Sequence, residues 1–224
     1  MSAAGDPGEA LAALLEGGAP PSDAAELPEL ATADGEAMCE PIVMELVRSF
    51  LMWEAGATAA SSAISALCGE VVDLNELRVC FEQELVEVVG IDDEFAVERV
   101  SRCVTALNWV FVEHHSVSLA SVGAMGKLEA RAYLRAIDGV PPYVASRVAL
   151  VGLGAHAVPV DGRLLSVLAS DGLVPDGLDE EQASSWLERQ IRAGDGRAAF
   201  AAFEALAAGG VKKASRKKVG AKRG

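Results

Sequence analysis

The chain has 224 residues, of which 51% are apolar and 5% aromatic, and its formal net charge is −14. A chain of this length and apolar content can bury one or two cores, which excludes a largely disordered protein. The N-terminus lacks the positive start and the apolar run of a secretory signal. The apolar stretch 143–160 contains Arg147, glycines and Pro159, which argues against a membrane span of about 20 residues. We therefore expect a soluble, cytoplasmic protein that does not associate with membranes.

The basic and acidic residues are distributed unevenly along the chain. Residues 212–224 carry seven basic residues and no acidic one, which leaves a net charge of −21 on residues 1–211. The first 36 residues contribute eight acidic residues and no basic one. A body this acidic repels a polyanion on average, so any contact with nucleic acid must involve the tail or a local patch. We expect residues 1–36 to be a partly disordered acidic segment and 212–224 to be a disordered basic tail.

Between these segments, apolar residues recur at helical spacing. Four helices are predicted first, one that begins at Pro41 and three over 59–67, 74–88 and 97–111. Further helices are predicted over 127–137, 142–151, 164–168, 179–191 and 198–207, with a turn at Asp138-Gly139-Val140-Pro141. No stretch shows the sustained alternation of a strand. The sequence therefore predicts an all-α fold.

The cysteines do not indicate a metal site. Cys39, Cys68, Cys80 and Cys103 contain no C-x-x-C pair, so neither a zinc nor an iron–sulfur framework is signalled. Each cysteine lies in an apolar stretch and is expected to be a small core residue. We predict no metal and no cofactor.

The second half of the chain contains a sequence pattern that is similar to that of one protein family. The run LRAIDGVPPYVASRVALVGLGAHAVPVDGRLLSVL, residues 134–168, resembles the helix-hairpin-helix DNA glycosylases of the endonuclease III type. Their consensus reads roughly L-P-G-V-G-x-K-T-A, then an apolar helix, then V-D-T-H and another helix. The resemblance extends back to about Pro41 through the number and order of the predicted helices. The four closely spaced cysteines that hold an iron–sulfur cluster in many relatives are absent, because no cysteine follows Cys103.

The resemblance implies a two-lobed helical architecture. One lobe is a helical barrel over residues 40–168, with the helix-hairpin-helix at about 127–152. The helices of 176–208 are expected to pack with the N-terminal segment as a second lobe.

The hairpin residues that the resemblance places near the DNA backbone are Gly139, Val140, Pro141 and Tyr143. Glycines in such a hairpin let backbone N–H groups approach a phosphate at the start of the second helix. Here Pro141 occupies the second glycine position and contributes no N–H, which predicts a weakened grip. The alternative is that the prolines simply preorganise the start of a helix.

The resemblance assigns the catalytic carboxylate to Asp161. It would assist departure of a base by stabilising positive charge on the sugar or by positioning a nucleophile. The alternative is that Asp161 only caps the helix that follows it. The lysine that forms a Schiff base in bifunctional relatives falls at Tyr143, which cannot form an imine, so lyase activity of the lysine type is not expected.

Two residues after the first predicted helix are candidates to fill the gap that a flipped base leaves in DNA. Glu54 lies at the position where relatives carry a polar residue, although a carboxylate is unfavourable within a base stack. Trp53 is the other candidate, with an ordinary core role as the alternative.

Two functions follow from these observations. The first is a monofunctional DNA glycosylase in base excision repair, located in the cytoplasm at the nucleoid, with a basic tail that assists DNA binding through Lys212, Lys213, Arg216, Lys217 and Lys218. The second is a non-catalytic helical binding or scaffold module that has lost glycosylase activity and whose acidic body engages a basic protein or its own tail.

Overall fold

A computed structural model describes residues 6–16, 27–31 and 40–220, with side chains as far as residue 209. Within these ranges the chain forms α-helices and no strand, which confirms the predicted all-α fold. In this part of the chain, no helix combines the length and the apolar character needed to cross a bilayer. The predicted acidic segment 1–36 lies outside the described residues except for 6–16 and 27–31.

The described helices follow one another with short connections. In chain order they are α1 (Pro7–Glu16), α2 (Pro41–Met52), α3 (Ala57–Glu70), α4 (Leu74–Leu77), α5 (Glu82–Val89), α6 (Ala96–His114), α7 (Ala120–Gly123), α8 (Lys127–Ala136), α9 (Pro142–Arg147), α10 (Gly162–Ser170), α11 (Glu180–Gln190) and α12 (Gly196–Gly220). A π-helical turn, Val148–Gly152, continues α9, and a short 3₁₀ turn, Ala193–Asp195, precedes α12.

The chain divides into two compact units. The central unit comprises residues 27–159, and the terminal unit comprises residues 1–26 and 160–224. Helix α10 therefore belongs to the terminal unit, whereas the sequence analysis placed residues up to 168 in the first lobe. The terminal unit is built by α10 against α11 and α12, with α1 against α12.

The core of the central unit forms around α2. Most of this helix is buried, and it packs against α3, α6 and α9. Glu40 caps its start by accepting from the backbone N–H groups of Ile42 and Val43 at 3.0 and 3.2 Å. The same carboxylate accepts from the N–H of Leu119 at 2.8 Å, which ties the start of α2 to a distant connection.

The single helix predicted over 74–88 is wrong, because the structure has two helices there, α4 and α5. The chain leaves the helix after Leu77, where Asn108 of α6 donates its side-chain amide to the carbonyl of Arg78 at 3.1 Å. The guanidinium of Arg78 lies 3.7 Å from the ring centroid of Phe111 and donates to Asn108. These contacts with α6 satisfy groups that a continuous helix would otherwise use internally.

Helix α12 continues through residues 212–220, where the sequence analysis predicted a disordered basic tail. Its preceding turns are rich in alanine, which has the highest helix propensity and favours propagation of a helix already begun. Residues 221–224 lie outside the described chain.

Candidate functional site

The predicted hairpin is formed by α8 and α9, and its turn requires a glycine. Gly139 has a φ of 81°, and a Cβ added there would lie 2.8 Å from the carbonyl oxygen of Arg102 on α6. The N–H of Val140 donates to the carbonyl of Ile137 at 3.2 Å and closes the turn. Gly139 is therefore needed for the left-handed backbone and for the close approach to α6, whether or not the turn binds a phosphate.

Two prolines begin the second helix of the hairpin. Pro141 is the N-cap of α9 with an extended backbone, and Pro142 is the first helical residue. The first turn of a helix leaves four N–H groups without an intrahelical acceptor, and the prolines remove two of them. Fewer donors are therefore left for a phosphate, while the start of α9 is preorganised.

After Pro142, which is exposed, the side chains of α9 are buried in the central unit. Tyr143, which the sequence resemblance aligned with the family's lysine, is only 2% exposed. One turn later, Arg147 is 1% exposed and forms a buried ion pair with Glu45 of α2. Its guanidinium also donates to the hydroxyl of Ser49 at 3.1 Å. A buried ionic cluster thus fixes the second hairpin helix to α2.

The loop after α9 is attached to α8 by two cationic side chains. Lys127 donates its Nζ to the carbonyl of Gly154 at 2.5 Å. Arg131 donates to the carbonyl of His156 at 2.8 Å. These bonds hold the segment that leads to the aspartate loop, and they engage the amine of Lys127 in a structural contact.

Asp161 lies at the start of α10 in the terminal unit. Its side chain caps the helix, because Oδ1 accepts from the N–H of Leu164 at 2.8 Å. The residue is 0% exposed. Its other oxygen, Oδ2, lies 3.6 Å from Nη2 of Arg163. The capping role that the sequence left open is therefore present, and the catalytic role stays a prediction.

Arg163 joins two buried carboxylates. Its Nη2 lies 2.6 Å from Oε1 of Glu204, a residue of α12 that is 3% exposed. A third carboxylate, Glu180 at the start of α11, responds to the charge of Asp161. Burial raises the pKa of Glu180, and the negative charges of Asp161 and Asp179 raise it further. Glu180 and Glu204 thus lie in the neighbourhood of Asp161, and the guanidinium of Arg163 lies between Asp161 and Glu204.

The two candidates for filling a base gap follow α2. Trp53 is 8% exposed, and its ring lies 5.8 Å from that of Phe95 between centroids. Its carbonyl accepts from Nε of the fully buried Arg99 at 3.0 Å, and Arg99 is paired with Asp93. Glu54 is half-buried and has a left-handed φ of 57°. These contacts favour the core role of Trp53, and the wedge role of Trp53 or Glu54 stays a prediction.

The basic residues assigned to DNA contact in the tail lie in the last turns of α12, where only the backbone is described. Among the described residues, no group of three or more His, Cys, Asp or Glu side chains could hold a metal ion. Of the cysteines within the described ranges, Cys103 is buried, which raises the pKa of its thiol to about 12, whereas Cys68 and Cys80 are half-buried. Cys39 lies outside the described residues.

Several solved structures of DNA glycosylases have a similar arrangement of helices. The structure is similar to that of an endonuclease III–DNA covalent intermediate, with a TM-score of 0.63 and 12% identity over 88% of this chain and 82% of that chain. It is also similar to the H. pylori 3-methyladenine DNA glycosylase bound to 1,N6-ethenoadenine, with a TM-score of 0.59 and 14% identity over 90% and 96% of the two chains.

A third similar structure is the Clostridium acetobutylicum 8-oxoguanine glycosylase/lyase with DNA, at a TM-score of 0.58 and 14% identity over 88% of this chain and 65% of that chain. No family model and no curated protein matches the sequence. The chain has the fold of the helix-hairpin-helix DNA glycosylases, which confirms the predicted resemblance at the level of the fold.

The sequence analysis missed the buried charges. Glu45, Arg99, Arg147 and Glu204 are all at most 5% exposed. The available signal was their position, because Glu45 and Arg147 stand within otherwise apolar helical stretches. A charged residue in such a place is expected to be paired when buried.

Proposed function

We propose that this protein is a DNA repair protein of the base-excision type, a monofunctional DNA glycosylase that acts on DNA with a damaged or mismatched base. The observation that carries the proposal is the combination of the glycosylase fold with a hairpin at α8–α9 and a carboxylate, Asp161, at the start of α10. Hairpins of this kind contact the DNA backbone and carry no sequence information, so base recognition lies elsewhere in the protein.

In the proposed binding mode, the turn at Gly139, Val140 and Pro141 lies beside the DNA backbone, and Tyr143, whose side chain is buried, follows the turn at the start of α9. The two prolines leave fewer N–H donors for phosphate oxygens than a glycine-rich turn would. We therefore expect the hairpin to contribute less binding free energy than in a relative with glycine at the second position. The preorganised helix start keeps the orientation of the turn.

In the proposed reaction, water replaces the base on the sugar. The bond between C1′ and the base nitrogen breaks as the base leaves with a proton, and a C–O bond forms from water to C1′. The carboxylate of Asp161 would stabilise the positive charge that develops on the sugar. Because Asp161 is buried and its Oδ1 caps α10, we assign the electrostatic role to its other oxygen, Oδ2.

The reaction is proposed to stop at base removal. Tyr143 occupies the position of the imine-forming lysine, and the amine of Lys127 is bonded to the carbonyl of Gly154. The product on a duplex with a susceptible lesion should be an intact strand that breaks only after alkali. Borohydride should trap no covalent adduct. A trapped adduct, or a strand break without alkali, would show that the assignment of monofunctional chemistry is wrong.

The basic tail is proposed to supply the electrostatic attraction that the acidic body lacks. Seven cations that neutralise seven phosphates give a salt slope near −6 in a double-logarithmic plot, from about −0.9 per phosphate. Deletion of residues 212–224 should flatten this slope and weaken duplex binding. An unchanged slope after the deletion would contradict the role of the tail.

A second function is favoured by the state of Asp161. The carboxylate is 0% exposed, caps a helix and lies beside Arg163, as expected for a structural residue. Together with the net charge of −21 on residues 1–211, this favours a non-catalytic binding module that keeps the fold. Such a module would release no base from any lesion in a broad panel, whereas release that depends on Asp161 would exclude it.

A further inference from the structure

Of the six large apolar side chains that are exposed among the described residues, three lie in the segment just before α5 and near the start of α6. The exposed fractions of Val79, Phe81 and Val97 are 64%, 76% and 65%. A single exposed apolar side chain needs no explanation, whereas a group of them indicates a surface that binds something.

The contacts of the segment between α4 and α5 place it along α6, the helix that carries Val97. At one end, Arg78 is bonded to Asn108 of α6. At the other end, Glu82 accepts from the hydroxyl of Ser101 at 3.2 Å. Residues 78–82 therefore run along α6 from Asn108 towards Ser101. Val97 lies one turn before Ser101 on the same face of α6, next to the end of the segment that carries Phe81. We call Val79, Phe81 and Val97 the apolar ridge.

Acidic side chains surround the apolar ridge. Residues 73–98 contain nine acidic residues and one basic residue, Arg78. The guanidinium of Arg78 is engaged by the ring of Phe111 and by Asn108. The exposed acidic residues of this stretch are Glu76, Glu82, Glu84, Glu87, Asp92, Glu94 and Glu98. A partner for this surface should therefore combine apolar side chains with positive charge.

We propose that the apolar ridge binds the basic C-terminal segment, residues 211–224, of a second copy of this chain. The segment carries seven cations and no acid, and it includes Val211 and Val219. The rest of the chain has 12 basic and 33 acidic residues, so that no other region offers the same complementarity. The inference goes beyond base excision and does not depend on it.

Reciprocal binding gives a closed dimer. If each copy places its tail on the ridge of the other, the two contacts are identical and no further copy can add. The second contact then forms within the complex and strengthens the association without new kinds of contact. At physiological ionic strength the Debye length is about 8 Å, so repulsion between the two acidic bodies is screened at longer range, while charges in direct contact still attract.

Sedimentation velocity of the full chain over a concentration series tests this inference. We expect a dimer at about 0.15 M salt that dissociates at about 1 M salt, where the Debye length is about 3 Å. Phe81→Ser should raise the dimer dissociation constant at least tenfold for each of the two contacts, because the burial of a phenylalanine side chain is worth more than a factor of ten. Val97→Ser should act in the same direction.

Leu128→Ser is the matched control, since Leu128 is 85% exposed on α8 and lies outside the ridge. It should leave the dissociation constant unchanged.

A mixing experiment tests whether one intact ridge and one intact tail are sufficient for association. The Phe81→Ser chain and a chain with its five tail residues Lys212, Lys213, Arg216, Lys217 and Lys218 changed to glutamine should each be monomeric alone.

Together, these two chains should form a 1:1 heterodimer through the one intact ridge and the one intact tail. A wild-type chain that stays monomeric at all concentrations would overturn the proposal, and so would a Phe81→Ser chain that dimerises as the wild type does. Loss of base release in any of these variants bears on the proposed chemistry and leaves the dimer measurement unaffected.

Discussion

The hairpin turn at 137–142 and the aspartate loop at 158–163 each contain a residue that the sequence resemblance singled out, but the two residues have different structural roles. In the hairpin this residue is Gly139, which the backbone requires at a φ of 81° and a tight approach to α6. In the aspartate loop it is Asp161, whose side chain is fully buried and serves as a cap. The first is fixed by backbone geometry and the second by side-chain hydrogen bonding.

A motif residue indicates catalytic activity only where the fold itself does not require that residue. A glycine that the turn itself needs would be kept in an inactive protein as well. A capping aspartate could be replaced by asparagine, serine or threonine at small cost, so a carboxylate there is not demanded by the cap alone. Variants of the hairpin should therefore affect stability first, and a charge-neutral variant of Asp161 should affect chemistry first.

The largest effect is expected at the buried ion pair that fixes the second hairpin helix. Arg147→Ala should lower the free energy of unfolding by about 3–5 kcal/mol, because it removes the buried guanidinium paired with Glu45 and leaves that carboxylate only the longer contact of 3.7 Å with Arg48. Urea unfolding measures the loss. Arg102→Ala is the control, since its pair with Glu98 has side chains 43% and 47% exposed and should contribute about 0.2–1 kcal/mol. Equal losses in the two variants would contradict the structural role of the buried pair.

A smaller loss of unfolding free energy is expected when the hairpin turn at Gly139 is changed. Gly139→Ala should cost about 2–4 kcal/mol, because it combines a left-handed backbone with a clash against the carbonyl of Arg102. Gly172→Ala separates the two causes. Gly172 has a φ of 68° and no atom within 4 Å of an added Cβ, so it should show the backbone strain alone, about 1–2 kcal/mol. If both variants lose the same free energy, the turn does not pack on α6 as described.

The aspartate loop should respond more weakly in stability. Asp161→Ala removes the cap on the N–H of Leu164 and should cost about 1–2 kcal/mol. Asp161→Asn keeps a capping oxygen and should cost less than half of that. Thermal and urea unfolding of the two variants give the comparison. A loss at Asp161→Asn as large as at Asp161→Ala would mean that the charge beside Arg163, rather than the cap, stabilises the loop.

The smallest effect concerns the carboxylate near Asp161. The pKa of Glu180 is raised in the folded protein, so the folded state holds this proton more tightly than the unfolded state does. The contribution of the Glu180 carboxyl to the free energy of unfolding is present at acidic pH and is lost as the pH rises through the raised pKa. Glu180→Gln should remove this pH dependence of the unfolding free energy. The unfolding free energy of the variant, relative to that of the wild type, should therefore increase from acidic pH towards pH 7.

Glu181→Gln is the control for Glu180, because it removes a charge from the same first turn of α11. The pH dependence of its unfolding free energy should follow the wild type more closely. If both variants change the slope equally, the effect arises from the helix start and not from the neighbourhood of Asp161.

The sequence predicted what local pattern controls. Apolar spacing located helices such as α2, α6 and α8, and the glycine with its prolines located the hairpin. It did not predict the break between α4 and α5, which depends on Asn108 and Phe111 some 30 residues later. Nor did it pair Arg147 with Glu45 or Arg163 with Glu204, since these partners meet only after packing. Long-range pairing of charges has no periodicity along the chain, and only the folded structure reveals it.

Base release from damaged DNA under single-turnover conditions tests the proposed chemistry most directly. Wild type and Asp161→Asn should be compared on the same lesion panel, with folding of the variant verified by its unfolding curve. We predict release by the wild type and a rate constant at least about a hundredfold lower for the variant, as expected when a group that stabilises transition-state charge is removed. No release from any lesion, or equal rates for the two proteins, would contradict a glycosylase that uses Asp161.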